Sequence, residues 1–280
     1  MTVKIKTDLL VIGAGAGGLS VAAGAAQLGI KVVLLEGDKM GGDCLNYGCV
    51  PSKALIAFSN QRKPKQFNNA MGFVRDAINE IEPHDSEERF RSLGVNVIRE
   101  YGQFVNETTV AAGAYEIQSR RIVIATGVHT PVPDISGLSD VQYYTNQTIF
   151  DLTKKPEHLL VLGGGPVGVE LAQAFARLGV NVTIFEKRKL LSNFSREQVE
   201  ILRVSLVEDG VSLKEDTCVN NISKVGGKLV VQLTNDDKIT GSHLLVATGK
   251  KPNLQNLNIQ AAGISYSDIG IETDQYLRTN

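Results

Sequence analysis

The chain has 280 residues, 42% of them hydrophobic and 21% charged, with 29 basic against 30 acidic side chains and a formal net charge of −1. At roughly 100–200 residues per domain this length predicts two domains, and the balanced charge excludes a nucleic-acid footprint or a polybasic membrane arm. Trp is absent and aromatics are 6%, which argues against a base-stacking nucleic-acid reader, and three cysteines in a chain of this size exclude a disulfide scaffold.

The first predicted element is a buried strand at Leu9–Ile12, within an uncharged run from Leu9 to Ile30. That run mimics a signal peptide or membrane span, but Gly13, Gly15, Gly17, Gly18, Gly24 and Gly29 interrupt it. A strand, a glycine turn and a buried helix account for it better, so a chain without a membrane segment and a cytoplasmic location are expected. Gly13, Gly15 and Gly18 form G-x-G-x-x-G. The first glycine allows the tight turn, the second lets a pyrophosphate approach the backbone, and the third lets the helix pack on the strand. The helix runs to Leu28-Gly29, and a strand at Lys31–Leu35 ends in Glu36, an acid placed to bond a ribose 2′-hydroxyl.

Residues 41–53 read GGDCLNYGCVPSK. The C-x-x-x-x-C spacing, with no second cysteine pair and no nearby histidine, does not fit a zinc site, so no metal is expected. A pair of buried structural thiols is the alternative to a redox role. The redox reading explains more: Asp43 is placed as an N-cap, and Cys44 falls in a first helical turn, where the helix dipole favours thiolate. Residues five apart on an ideal helix point about 140° apart, so pairing Cys44 with Cys49 requires distortion, which Gly48 and Pro51 are placed to provide. Lys53 follows on the same element.

Residues 60–92 read as a surface helix and loop, with Lys63 and Lys65 on a solvated face. Segment 99–122 reads as a hairpin near Asn106-Glu107, and Arg121–Gly127 (RIVIATG) is a strand ending in Ala-Thr-Gly. The fingerprint then repeats 150 positions on. Leu159–Leu162, Gly163, Gly165 and Gly168, Leu178-Gly179, the strand Asn181–Phe185 and Glu186 correspond element by element to the first copy. Ser20 corresponds to Glu170. Glu186 favours NADH, although Lys187 and Arg188 beside it can hold the 2′-phosphate of NADPH. A turn and strand follow in 211–240, Cys218 has no sequence partner, and Leu244–Gly249 (LLVATG) repeats the strand with Ala-Thr-Gly. The predicted fold class is α/β with two Rossmann-like dinucleotide-binding domains.

With GGDCLNYGCVPSK, the two fingerprints, ATG at 125–127 and ATGKKPN at 247–253, the sequence resembles the pyridine nucleotide–disulfide oxidoreductases of the glutathione reductase, dihydrolipoamide dehydrogenase and mercuric reductase group. DSEERFRSLGVNVI (85–98) and TNQTIFDL (145–152) look most like the mercuric-reductase-like branch. The resemblance implies that Gly13, Gly15, Gly18 and Glu36 bind the ADP half of FAD, and that Gly42, Asp43 and Lys53 lie along the flavin. Gly102 and Thr126-Gly127 would complete that site. Cys49 would be the flavin-proximal sulfur and Cys44 the interchange thiol. Gly163, Gly165, Gly168, Glu186 and Gly249 would bind NAD(P)H, with Glu170 pairing with Lys53. Some relatives carry a gating aromatic where this chain has Pro166, so no gate is carried over.

The implied domains are 1–150, binding FAD and carrying the redox disulfide; 151–272, binding NAD(P)H; and 273–280, the start of a return to the FAD domain. The implied reaction is FAD-dependent, from NAD(P)H through flavin and Cys44–Cys49 to a small-molecule disulfide or thiol-bound metal. Alternatives are a dihydrolipoamide-dehydrogenase-like enzyme, a non-catalytic nucleotide-binding or redox-sensing module, and a flavoenzyme with a quinone acceptor, which the cysteine pair argues against. Relatives continue into a dimerisation domain with a His-x-x-x-x-Glu dyad. His129 and Asp134 have similar spacing but sit in the loop HTPVPD. The expectation is therefore a C-terminally truncated, partial enzyme with weakened FAD retention and little turnover, from a full-length homodimer.

Overall fold

The computed structural model describes residues 2–61 and 66–280; Lys63 and Lys65 lie outside the described residues. In chain order the elements are β1 (Val3–Ile12), α1 (Ala16–Gln27), β2 (Val32–Leu35), α2 (Gly42–Asn46), α3 (Cys49–Ser59), α4 (Phe67–Ile81), α5 (Glu87–Ser92), β3 (Asn96–Ile98), β4 (Gln103–Asn106), β5 (Thr109–Ala112), β6 (Tyr115–Ile124) and β7 (Val128–His129). There follow β8 (His158–Leu162), α6 (Pro166–Arg177), β9 (Asn181–Phe185), α7 (Arg196–Glu208), β10 (Val211–Lys214), β11 (Val219–Val225), β12 (Lys228–Leu233), β13 (Lys238–Gly241), β14 (His243–Val246) and β15 (Lys251–Pro252). No helix among the described residues is long and apolar enough to cross a membrane.

The chain divides into two compact units. The first takes in the chain up to Asn46, Ile78–His129 and Lys250–Asn280. Its sheet has the order β3-β2-β1-β6-β5-β4, parallel through β6 and antiparallel beyond it. Strands covered on both faces must be apolar throughout rather than alternating, and Val32–Leu35 is buried at every position. Val11, Val32 and Leu34 pack with Leu19 and Ala22 of α1. Leu10, Ile12, Val33 and Leu35 pack with Phe104 and Val110 of the antiparallel strands.

The second unit takes Tyr47–Ala77, within its described residues, and Thr130–Gly249. Its parallel sheet has the order β10-β9-β8-β14, and a separate antiparallel sheet has the order β11-β12-β13. Leu160, Leu162, Leu244 and Val246 pack with Ile222, Val231 and Leu233 between these layers. Helix α4 packs on α6 through Phe67 and Phe175, ring centroids 6.0 Å apart.

Packing therefore divides the chain differently from the sequence boundaries at 150 and 272. Residues 47–77 join the second unit because α3 and α4 lie on α6. Residues 130–150 join it because Tyr144 adds to the edge of β14, donating to Leu244 O at 2.7 Å and accepting from Val246 N at 2.8 Å. Residues after Lys250 join the first unit because β15 pairs with β7 and because Leu257 and Ile259 enter its core.

Two imidazoles should make the second unit sensitive to acid. Burial holds His158 and His243 below the ordinary value of 6.5. His158 Nε2 lies 2.9 Å from Thr183 Oγ1, and His243 Nδ1 lies 2.9 Å from Ser242 Oγ. The unfolded chain therefore takes up protons first as pH falls, so stability present above about 6.5 is lost from there down through the lowered folded values. The midpoint of thermal unfolding should be level above pH 7 and fall below 6.5. His158→Asn combined with His243→Asn should flatten that step. A parent midpoint unchanged between pH 7.5 and 5 contradicts it.

Candidate functional site

In each unit the fingerprint lies at the carboxyl end of the central parallel strand. Gly13 has φ +105, and a Cβ there would lie 2.3 Å from Ala125 O. Gly163 has φ +107, with the corresponding contact at 2.4 Å from Ala247 O. A Cβ on Gly18 or Gly168 would lie 1.8 or 2.1 Å from the carbonyl oxygen of Gly13 or Gly163. These four glycines are dictated by the protein's own backbone.

Gly15 and Gly165 are different. Their φ values of −80 and −78 suit any residue. A Cβ on Gly165 would meet nothing within 4 Å, and one on Gly15 would meet only Gly42 Cα at 3.9 Å. No protein atom requires glycine there, whereas a ligand approaching the backbone would. Both are N-cap residues without a side-chain cap, and neither α1 nor α6 has an acid in its first turn. Open N–H groups at a helix N-terminus suit a pyrophosphate.

The acids are held alike. Glu36 accepts from Ala14 N at Oε2 and from Asp38 N at Oε1, both at 2.7 Å. Glu186 accepts from Gly164 N at Oε2 (2.7 Å) and from Arg188 N at Oε1 (2.9 Å). Both donors recur at the offset of 150. A carboxylate has about four lone-pair sites, so each acid keeps acceptor capacity for ribose hydroxyls. Lys187 and Arg188 are exposed, while Lys189 pairs with Asp216 and Arg203 with Glu215.

Gly41 (φ +82) and Gly42 (φ +56) turn the chain into α2, and Gly41 N donates to Ala14 O at 2.9 Å. Asp43 is consequently the second residue of α2 rather than its N-cap, and its carboxylate lies 3.0 Å from Lys250 Nζ. Cys44 is half-buried in α2, while Cys49, an exposed free thiol, opens α3. The helix breaks at Tyr47-Gly48, and Gly48 has φ −122 and ψ −103. Gly48 thus supplies the interruption of the helical path. Pro51 does not, because it sits in the first turn of α3, where no N–H donor is needed.

Lys53, one turn after Cys49, lies with Nζ 2.7 Å from Glu170 Oε1 on α6. Thr126 is half-buried and Gly127 (φ +67) exposed at the end of β6. Asn253 Nδ2 donates to Thr126 O at 2.9 Å, and Asn253 Oδ1 lies 2.6 Å from His129 Nδ1. Gly249 (φ +130) is exposed after β14. Gly102 has a packing reason: it is buried, and a Cβ there would lie 2.8 Å from Leu35 Cδ1. Lys250 and Asn253 were not singled out from sequence, although the KKPN following the second Ala-Thr-Gly marks both. Among the described residues no three His, Cys, Asp or Glu side chains converge as metal ligands.

A scan against family profiles matches residues 7–280 to the pyridine nucleotide-disulphide oxidoreductases. The chain is 34% identical to the mercuric reductase of Bacillus cereus, covering 97% of this chain and 46% of that protein. It is 34% identical to the mercuric reductase of Streptomyces lividans (98% and 63%) and 29% identical to a dihydrolipoyl dehydrogenase of Staphylococcus aureus (99% and 64%). A solved structure of the HOCl-induced flavoprotein disulfide reductase RclA from Escherichia coli, in complex with Cu(II), superposes with a TM-score of 0.91 at 29% identity, covering 97% of this chain and 63% of that one. The chain thus spans about half to two thirds of the length of these relatives. It belongs to the pyridine nucleotide-disulphide oxidoreductases, enzymes that use FAD and NAD(P)H.

Proposed function

We propose that this chain passes electrons from NAD(P)H to the Cys44–Cys49 pair, with FAD held in the first unit, and on to a small-molecule disulfide or a thiol-bound metal. The observation that carries this reading is the placement of Cys49 at the start of α3, one turn before a lysine paired with Glu170 of the fingerprint helix α6. When bound, FAD supplies the two-electron carrier between nicotinamide and sulfur. Gly15 and the first turn of α1 would take its pyrophosphate, and Glu36 its ribose. Gly165, the first turn of α6 and Glu186 would hold the nicotinamide cosubstrate, and the acid at 186 favours NADH over NADPH.

The sulfur chemistry then balances on the protein's own groups. Cys44 thiolate attacks one sulfur of the substrate disulfide, forming a mixed disulfide and releasing a thiolate that takes a proton. Cys49 thiolate attacks Cys44 Sγ, closing the Cys44–Cys49 bond and releasing the second thiol. Two electrons leave the dithiol and reduce the substrate. Identity of 30–34% to mercuric reductases, against 29% to dihydrolipoyl dehydrogenases, supports a thiol-bound metal beside the disulfide as a final acceptor. A cytoplasmic setting, where thiols are kept reduced, belongs to the same proposal.

The test starts from the oxidised chain, with Cys44–Cys49 closed as a disulfide, and titrates it anaerobically, with FAD in excess, by NADH and separately by NADPH. Two thiols at 44 and 49 should become alkylatable and a long-wavelength absorbance should develop, with NADH effective at lower concentration. Thiols that stay closed to alkylation with either nucleotide refute the proposal, and a preference for NADPH refutes the role given to Glu186.

A further inference from the structure

In the second unit α3 and α6 are joined by two polar rungs. Lys53 Nζ meets Glu170 Oε1 at 2.7 Å, and Arg177 Nη1 donates to Asn60 Oδ1 at 2.6 Å. Each rung joins residues 117 apart in sequence. From one rung to the next, α3 and the Asn60 that caps it advance from 53 to 60 while α6 advances from 170 to 177. That is about two turns, or about 10 Å, along each axis. Equal steps in the same sense mean that the helices run parallel and in register. One turn back, the same offset pairs Cys49 with Pro166, the first residues of the two helices.

The two rungs differ in stiffness. The Lys53 side chain is 65% exposed, and an exposed lysine–carboxylate pair restrains little by itself. Arg177 is 24% exposed and is also fixed by Asp209, which accepts from its Nε and Nη2 at 2.8 Å. Asp209 accepts a further bond from Gln173 Nε2 at 2.8 Å, which ties α7's end to the same face of α6. A planar guanidinium held on three sides is a fixed point, whereas an ammonium on a four-carbon stem is not.

We propose that Asn60 and Arg177 are positioning residues that fix the axial register of α3 on α6 and so hold Lys53 on Glu170 and Cys49 level with the α6 N-terminus. The inference rests on the reading of Cys49, Lys53 and Glu170 as one functional unit. Neither Asn60 nor Arg177 touches that unit; each acts through the helix that carries it.

The test uses the full chain with Cys44→Ser and Cys218→Ser, so that Cys49 alone reacts, and measures its second-order alkylation rate with iodoacetamide between pH 6 and 9. In this background Glu170→Gln should change the rate about threefold or more, because it alters the charge around Lys53, one turn from the thiol. With Arg177→Met or Asn60→Leu added, the same Glu170→Gln step should change it by less than about 1.5-fold, since Lys53 no longer sits on residue 170. Asn60→Asp, which keeps an acceptor for the guanidinium, should restore the parental response. Arg177→Met leaves Asp209 without its cation and can fail to fold; Asn60→Leu, at an exposed helix end, provides the second arm. A Glu170→Gln effect of equal size in every background overturns the register proposal alone. No Glu170→Gln effect in the parent overturns the functional unit and the proposal with it.

Discussion

Cys49→Ser should bind FAD as the parent does and take up about two electrons per chain on anaerobic reduction instead of about four, because one two-electron sulfur couple has been removed. The long-wavelength absorbance of the partly reduced parent should vanish with it. The substitution is nearly isosteric at an exposed first residue of α3, where neither a core contact nor a helix hydrogen bond depends on sulfur. Its effect on stability should therefore be small, within about 0.5 kcal/mol, which separates a chemical loss from a folding one. Cys44→Ser should show the same halved electron uptake but keep the long-wavelength absorbance, since the sulfur assigned to the flavin remains. Cys218→Ser, before β11, should change neither. Uptake of about four electrons by Cys49→Ser would refute its membership of the couple.

Much of this site was legible in the sequence because its parts are local. A strand, a glycine turn, a helix and a terminal acid fit within the 28 residues from Leu9 to Glu36, and the repeat at 150 positions gave the same reading twice. What was not legible depends on residues far apart in the chain. The assignment of 47–77 to the second unit comes from α3 and α4 lying on α6, through pairs separated by 117 positions that leave no periodic trace. One partner of Asp43 is Lys250, 207 positions away. Local chemistry also misled at one point: Asp43 has the composition of a cap, but two left-handed glycines turn the chain one residue earlier. Gly102 stood among the expected cofactor contacts, although its lack of a side chain already follows from Leu35 and Val110 packed over it.

The glycines of the fingerprint divide by cause, and that division predicts opposite results for neighbouring positions. Gly163→Ala must place a Cβ 2.4 Å from Ala247 O at φ +107. Backbone strain of about 1–3 kcal/mol and overpacking of about 1–3 kcal/mol together cost several kcal/mol, a large share of the roughly 5–15 kcal/mol that holds a domain folded. Its second unit should unfold at markedly lower temperature or not accumulate. Gly165→Ala, two residues on, meets no atom within 4 Å at φ −78. It should fold with an unchanged midpoint yet bind NADH about 10- to 100-fold more weakly, because the added methyl occupies the approach to the open N–H groups of α6. Gly13→Ala and Gly15→Ala should repeat the contrast in the first unit, with FAD as the ligand that is lost. Isothermal titration beside thermal unfolding separates the two classes. Unaltered NADH binding by Gly165→Ala would mean that the pyrophosphate does not approach there, and the correspondence between the two fingerprints would then hold for the fold but not for the ligand.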